Sequence, residues 1–181
     1  MKPINFFFVL VSAFFASCAN ESKTGKQYKV IDDKSEIFKV SVELTMREDD
    51  ALHLYYTTDS SINFTDVRSI WIESKGNQKK QRVVFSLPEQ IKPTQLRIDL
   101  GNNPKQKDIY LSKVTLSYKG KSVELPGTLV FSYFTPDVTK TDANLATGLI
   151  RGRILHGVRQ SPSLYPKEGP LGDELEKLLT P

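Results

Sequence analysis

The sequence predicts a mainly β protein, an antiparallel β-sandwich of the jelly-roll kind with a short C-terminal helix. Two observations indicate this fold: apolar and polar residues alternate with a period of two in several short segments, and clusters of Gly, Pro and Asn separate those segments. A third is that no long helical pattern interrupts them. Short strands separated in this way favour a sandwich or barrel over alternating strands and helices.

The alternating segments are the predicted strands. They are Val40–Leu44, Leu52–Tyr56, Ile70–Ile72, Arg82–Leu87, Leu96–Leu100, Val114–Tyr118 and Val123–Leu125. In a strand, successive side chains point to opposite faces, so one face of each segment is expected to lie against a core. The last two segments flank Lys119-Gly120-Lys121, which predicts a hairpin with Gly at its tip.

The C-terminal part of the chain differs in composition. We expect residues 137–149 to form a short helical turn or an irregular strand, and residues 151–159 are basic and interrupted by Gly. Residues 171–179 place four leucines on one helical face and predict a helix. A helix this short needs a surface to pack on, so it either caps the sandwich or forms part of a partner site.

The first 17 residues predict a signal peptide. Lys2 precedes an apolar run from Ile4 to Phe15, and the small residues Ala16 and Ser17 follow. The run is shorter than the roughly 20 apolar residues that cross a bilayer. A buried first helix is the remaining alternative, but the polar stretch 21–27 that follows has no helical periodicity. We therefore expect export.

Cys18 is the only cysteine in the chain and directly follows the signal segment. The run Phe15-Ala16-Ser17-Cys18 resembles the lipobox of bacterial lipoproteins. The resemblance implies cleavage before Cys18 and attachment there of acyl chains such as palmitate, and two or three chains hold a protein stably on a membrane. The alternative is a small residue near an ordinary cleavage site. The expected location is the outer membrane, with either a periplasmic or a surface-exposed domain.

These features divide the chain into four parts. We expect a signal peptide at 1–17, a lipidated flexible tether at 18–29, the β-sandwich domain at 30–135 and a C-terminal extension with the short helix at 136–181. The net charge is +4, or +3 once Lys2 is removed. This balance is too mild to indicate a nucleic-acid partner.

One stretch of the predicted sandwich resembles a known group of domains. The run Leu96-Arg97-Ile98-Asp99-Leu100-Gly101-Asn102 is similar to the "LRxDxGN" segment of galactose-binding-like and carbohydrate-binding-module-like jelly rolls, including β-sandwich domains of Bacteroidetes lipoproteins. Arg82–Pro88 fits the strand that precedes this segment, and Ser161–Tyr165 resembles a short motif near the end of some such chains. The resemblance covers about residues 40–134 and implies binding of a glycan by a sheet face.

A glycan site needs flat apolar surfaces for the C–H faces of the sugar and polar groups for its hydroxyls. Trp71 and Tyr55 alternate with apolar neighbours and are expected to point away from the core. Arg97, Asp99 and Asn102 are the candidate hydrogen-bonding residues. Two alternatives stay open: the aromatic residues are covered by a loop, and Arg97 and Asp99 form a structural ion pair.

No catalytic, metal or cofactor site is predicted. The two histidines, His53 and His156, lack metal-binding spacing, and the sequence contains neither a Gly-rich phosphate loop nor a GxSxG motif. No pair of carboxylates stands out for glycoside hydrolysis, which leaves a hydrolase as a distant third possibility. A calcium ion in the Asn102–Asn103 loop stays open. The basic clusters at 75–82 and 151–159 are expected to solubilise loops and edges or to meet anionic glycan or lipid headgroups.

Two functions therefore remain. The first is an envelope lipoprotein that binds carbohydrate without catalysis. The alternative is a non-catalytic assembly subunit of an outer-membrane protein complex, suggested by the expected tether at Cys18 and by the C-terminal extension. The expected partners are the membrane, through the lipid anchor, and either a glycan or another envelope protein.

Overall fold

The computed structural model describes residues 26–30 and 35–180. Cys18, the expected signal peptide and residues 18–25 of the expected tether lie outside these residues. The strands are β1 (Gln27–Val30), β2 (Lys39–Met46), β3 (Asp50–Thr57), β4 (Ser69–Ser74), β5 (Asn77–Ser86), β6 (Gln95–Asp99), β7 (Ile109–Tyr118), β8 (Lys121–Pro126), β9 (Phe134–Pro136), β10 (Thr141–Asn144), β11 (Leu149–Gly152), β12 (Ile154–Leu155), β13 (Val158–Arg159) and β14 (Ser163–Pro166). The helix α1 spans Glu168–Leu179, and 3-10 helices span Asp66–Arg68 and Gly127–Ser132.

Two antiparallel sheets form the sandwich. In the larger sheet, β7 pairs with β2 along one edge and with β8 and β11 along the other, and β5, β1 and β10 extend these pairings. The smaller sheet has the order β4-β3-β6-β14-β9. The chain changes sheet between β2 and β3 and again between β4 and β5, β5 and β6, and β6 and β7. The prediction of an antiparallel β-sandwich with a short C-terminal helix is confirmed.

The core lies between the two sheets and is built from alternate residues of the long strands. Val40, Val42 and Leu44 of β2 and Leu52 and Leu54 of β3 are all fully buried. Each such side chain contributes roughly 1.5–3 kcal/mol by leaving water. The period of two seen in the sequence is therefore the alternation between this core and the outer faces.

The predicted hairpin between β7 and β8 is present. Lys119 and Gly120 form the two-residue turn, with φ values of 46° and 77°. Positive φ at both positions is the geometry of a type I′ turn, whose twist matches that of the flanking strands.

Residues after 135 belong to both sheets. Strands β10 and β11 extend the larger sheet, while β14 pairs with β6 and β9 in the smaller one. Ile150 and Leu164 from this part are fully buried in the shared core. The expected boundary between 30–135 and 136–181 therefore does not divide the fold. These strands are two to four residues long, too short to show a period of two.

The helix α1 covers one end of the sandwich. Leu171, Leu175 and Leu178 are buried, and the helix contacts β6 of the smaller sheet and β7 and β8 of the larger one. A 12-residue helix has little stability alone, so this packing holds it in place. In the part of the chain that the structure describes, no helix is both long and apolar enough to cross a bilayer.

Residues 27–29, expected to end a flexible tether, are part of strand β1. This strand pairs with β8, and the side chains of Lys26 and Tyr28 donate hydrogen bonds to the buried Glu174 of α1, at 2.7 Å and 2.6 Å. Burial, followed by the hydrogen bond to Glu174, raises the pKa of Tyr28. Strand β1 of the sandwich thus begins three residues before the expected domain start at residue 30.

Candidate functional site

The outer face of the smaller sheet brings together most of the predicted ligand-binding residues. The antiparallel register places Trp71 opposite His53, His53 opposite Asp99, and Tyr55 opposite Arg97. We call this surface the aromatic face and define it by Trp71, His53, Tyr55, Arg97, Asp99 and Tyr165. Four of the five residues predicted to bind a ligand lie on it.

Trp71 is the exposed member of the aromatic face. Its side chain lies on the edge strand β4, and the residue is 53% exposed. One side of the indole is parallel to the imidazole of His53, with ring centroids 3.8 Å apart and 20° between the planes. The indole therefore has a rigid support on one side and is open to solvent elsewhere.

His53 is a buried member of the aromatic face. It is 1% exposed and also contacts the ring of Tyr55, with centroids 3.8 Å apart. Its Nε2 has no hydrogen-bond partner among the described residues. Burial lowers the pKa of His53 more than the charges of Asp99 and Asp66 raise it, so the imidazole is neutral near pH 7.

Arg97 and Asp99 form a bidentate ion pair. The Nε and Nη2 atoms of Arg97 donate to the two carboxylate oxygens of Asp99 at 2.8 Å and 2.6 Å. The guanidinium also lies over the rings of Tyr55 and Tyr165, 4.7 Å and 4.6 Å from their centroids. Burial acts to lower the pKa of Arg97. The hydrogen bonds to Asp99 and the charge of Asp99 together outweigh burial, so the pKa of Arg97 is raised. Arg97 and Asp99 therefore form the structural ion pair that was the alternative expectation for these two residues.

The loop between β3 and β4 covers the other end of the aromatic face. The ring of Phe64 approaches Tyr55 at 6.3 Å and meets Tyr165 edge-on at 6.1 Å. The hydroxyl of Tyr55 donates to Asp66 at 3.0 Å, and burial together with this bond raises the pKa of Tyr55 to about 12. Tyr55 is consequently half-buried, which leaves Trp71 as the exposed aromatic surface.

Asn102 differs from the other predicted ligand-binding residues. It follows the end of β6, and its backbone N–H, like that of Asn103, donates to Oδ1 of Asp50 at 2.8–2.9 Å. Within residues 26–30 and 35–180, no hydrogen bond or ring contact joins Asn102 to the aromatic face. The chain leaves the sheet at Asp99, so alternation no longer sets the direction of Asn102.

Sequence reasoning missed four residues at this site: His53, Tyr165, Phe64 and Asp66. His53 had a usable signal, because it alternates with Leu52 and Leu54 and so shares a face with Tyr55. Tyr165 lies in the four-residue strand β14, which shows no clear alternation. Phe64 and Asp66 reach the face from a loop, where no periodicity applies.

The described residues contain no group of three or more His, Cys, Asp or Glu side chains arranged to hold a metal ion. In the loop where calcium was considered, Oδ1 of Asp50 accepts three backbone N–H groups, and the side-chain amide of Asn103 donates to the carbonyl of Asp49. These donors stabilise the loop directly.

No protein-family model matches this chain, and no curated protein or solved structure matches it either. The chemistry available is that of the aromatic face itself. It offers the exposed indole of Trp71 and, farther along the face, the guanidinium of Arg97 over the phenol rings of Tyr55 and Tyr165.

Proposed function

We propose that this protein is a cell-envelope lipoprotein that binds carbohydrate without catalysis through the aromatic face. The observation that supports this most is Trp71, half-exposed while its indole lies parallel to the buried ring of His53. A flat apolar ring suits the C–H face of a sugar. Because the ring is already held, little rotamer freedom remains to be lost when a ligand stacks on it.

Polar groups around Trp71 supply the second requirement of a sugar site. Glu73, two residues along β4, is exposed on the same side of the sheet, and Asp66 lies exposed in the adjacent loop. A carboxylate accepts several hydrogen bonds, so Asp66 keeps acceptor capacity while it binds the hydroxyl of Tyr55. Sugar hydroxyls beside the indole would donate to these oxygens.

Affinity electrophoresis through gels that contain envelope or host polysaccharides tests this proposal. We expect one polysaccharide to retard the wild-type protein, and Trp71→Ala to abolish the retardation. Tyr110→Ala is the matched control, since Tyr110 is an aromatic residue 44% exposed on the larger sheet. Equal retardation of both variants, or none of the wild type by any polysaccharide, would contradict the proposal.

The membrane anchor is the part of the proposal that rests on Cys18. We expect cells to incorporate labelled palmitate into the wild-type protein and the protein to fractionate with the outer membrane. Cys18→Ser should lose both properties while the sandwich stays folded. Membrane fractionation of Cys18→Ser at the wild-type level would argue against the anchor.

A second candidate is an assembly subunit of an outer-membrane complex. The hairpin of β12 and β13 exposes Ile154, Leu155 and Val158 to solvent, and grouped exposed apolar residues often mark protein interfaces. A partner that co-purifies with wild type and with Trp71→Ala, but not with an Ile154→Ser/Val158→Ser variant, would favour this role. Deleting residues 136–181 is unsuitable, since it removes strands from both sheets.

A further inference from the structure

The hairpin of β12 and β13 stands apart from both sheets of the sandwich. Its strands pair only with each other, and His156 and Gly157 form its turn, with φ values of 50° and 78°. All residues from 153 to 158 are exposed. The backbone N–H of Arg153 donates to the carbonyl of Lys140 at 2.8 Å and holds the base of the hairpin. The hairpin is therefore a projection that is fixed at its base and open to solvent at its tip.

The hairpin carries apolar side chains on both of its faces. Ile154 shares one face with its cross-strand partner Arg159, and Leu155 and Val158 share the opposite face. Ile154 and Val158 are 64% and 61% exposed, and Leu155 is exposed as well. Such residues contribute little to the core, and grouped exposed apolar residues often mark a contact with another molecule. A flat protein surface would cover one face of the hairpin, whereas a lipid bilayer surrounds both.

Cationic side chains lie at the base of the hairpin. Lys105 and Lys107 are exposed and line one cavity together with Ile154. Neither lysine forms an ion pair within the part of the chain that the structure describes. Arg151 and Arg153 lie in the same region, but each is paired with an aspartate and adds no net charge. An apolar tip above free lysines matches the layers of a bilayer with anionic headgroups.

The N-terminal end of β1 points toward the end of the sandwich that carries the hairpin. β1 and β7 run in the same direction, because each is antiparallel to β8. Gln27 lies level with Thr115, six residues or about 20 Å beyond Ile109 at the start of β7. β11, which leads into the hairpin, pairs with Ile109. The eight residues from Cys18 to the described chain span at most about 29 Å, enough to bring a lipid on Cys18 level with the hairpin. This step alone rests on the proposed anchor.

We propose that this hairpin inserts into the interfacial layer of a bilayer that contains anionic lipid. Three residues are exposed on each side of the hairpin, so it projects about 10 Å. Interfacial segments enter a bilayer to a depth of about 5–10 Å. The imidazole of His156 at the turn has an apolar body and polar nitrogens, which suits this depth. Lys105 and Lys107 then face the lipid phosphates. The contact requires neither glycan binding nor a lipid on Cys18.

Cosedimentation with vesicles tests this contact on a chain that begins at Ser22, which carries no lipid and keeps both sheets and α1. We expect binding to equimolar phosphatidylcholine and phosphatidylglycerol, and binding about tenfold weaker or more to phosphatidylcholine alone. Ile154→Ser/Val158→Ser and Lys105→Gln/Lys107→Gln should each weaken binding to the mixed vesicles about tenfold or more. Both variants should stay folded by circular dichroism, because all four side chains are exposed.

Two matched variants are the controls. Ile62→Ser/Val67→Ser removes the same two side chains from the exposed loop between β3 and β4. Lys79→Gln/Lys92→Gln removes the same charge from exposed positions elsewhere. Both should bind the mixed vesicles as the wild type does.

Insertion is measured with Val158→Trp in a Trp71→Phe background. Lipids brominated high in the acyl chains should quench this fluorescence, but not that of Val67→Trp in the same background. No quenching, no vesicle binding, or equal binding by wild type and the folded Ile154→Ser/Val158→Ser variant overturns the proposal. A protein partner lost in that variant, without vesicle binding, assigns the hairpin to a protein interface instead. Because this chain lacks Cys18, a failure of the proposed anchor leaves these results unchanged.

Discussion

The imidazole of His53 lies parallel to the indole of Trp71, with 3.8 Å between the ring centroids, and its Nε2 is buried without a partner in the described part of the chain. The two residues face each other across β3 and β4. This pairing supports the exposed indole on one side. It also makes the charge of the imidazole part of the immediate environment of Trp71.

Acid should destabilise the fold through His53. Burial lowers the pKa of His53 in the folded protein. As the pH falls through about 6.5, His53 is therefore protonated in the unfolded chain at a higher pH than in the folded protein. The free energy of unfolding should therefore fall between about pH 7.5 and pH 5.5, as measured by urea denaturation. His53→Gln should remove this component of the pH dependence, and His156→Asn should keep it. A His53→Gln variant as pH-sensitive as wild type would contradict the assignment.

Removing the carboxylate of Asp99 should weaken the smaller sheet. Asp99→Asn leaves the half-buried guanidinium of Arg97 without its anionic partner, which should cost about 1.5–3 kcal/mol of unfolding free energy. The control is Asp142→Asn, which breaks an ion pair with Arg153 whose side chains are both largely exposed and should cost less than about 1 kcal/mol. Equal losses in the two variants would show that the Arg97 pair has no special role.

Gly101 should tolerate no side chain. Its φ is +85°, and a Cβ atom would lie 2.2 Å from Oδ2 of Asp50. Gly157 has a similar φ of +78°, but a Cβ atom there would have no heavy atom within 4 Å. Gly157→Ala therefore isolates the strain of a positive φ, which should lower the free energy of unfolding by about 1–2 kcal/mol. We expect Gly101→Ala to lower the free energy of unfolding by at least about 2 kcal/mol more than Gly157→Ala does, because the carboxylate of Asp50 must move away from its backbone N–H donors. Similar unfolding midpoints for the two variants would contradict this.

Glu174→Gln should release the N-terminal strand. Glu174 is buried on α1 and accepts hydrogen bonds from Lys26 and Tyr28, and the bond with Glu174 is the main cause that raises the pKa of Lys26. Without the carboxylate, we expect faster amide hydrogen exchange in β1 and a free energy of unfolding lower by about 1–3 kcal/mol. Glu176→Gln, on the exposed side of the same helix, serves as the control. Unchanged exchange in β1 would show that pairing with β8 is sufficient to hold it.

The direction of side chains on long strands could be predicted from the sequence alone. Trp71, Tyr55, Arg97 and Asp99 share one face because a strand alternates strictly and the antiparallel register aligns its neighbours. The cover over Tyr55 could not be predicted in this way. It depends on where a loop places Phe64, which is a tertiary contact without a local pattern.

The C-terminal part shows a second limit of sequence reasoning. Leu164 pairs with Ile98, far away in the sequence, and this pairing sets Tyr165 beside Arg97. A strand of four residues carries too few positions to show a period, and its partner is fixed only when the whole sheet assembles. The helix at Glu168–Leu179 was predictable because its leucines repeat over several turns.

A titration of Trp71 fluorescence in the purified protein with a panel of envelope and host polysaccharides tests carbohydrate binding most directly. Trp71 is the only tryptophan in the chain, so the signal comes from the aromatic face alone. We predict a saturable change with at least one polysaccharide, and an unchanged dissociation constant in Tyr110→Ala. A flat response across the panel, with circular dichroism showing a folded β protein, would contradict carbohydrate binding at this face.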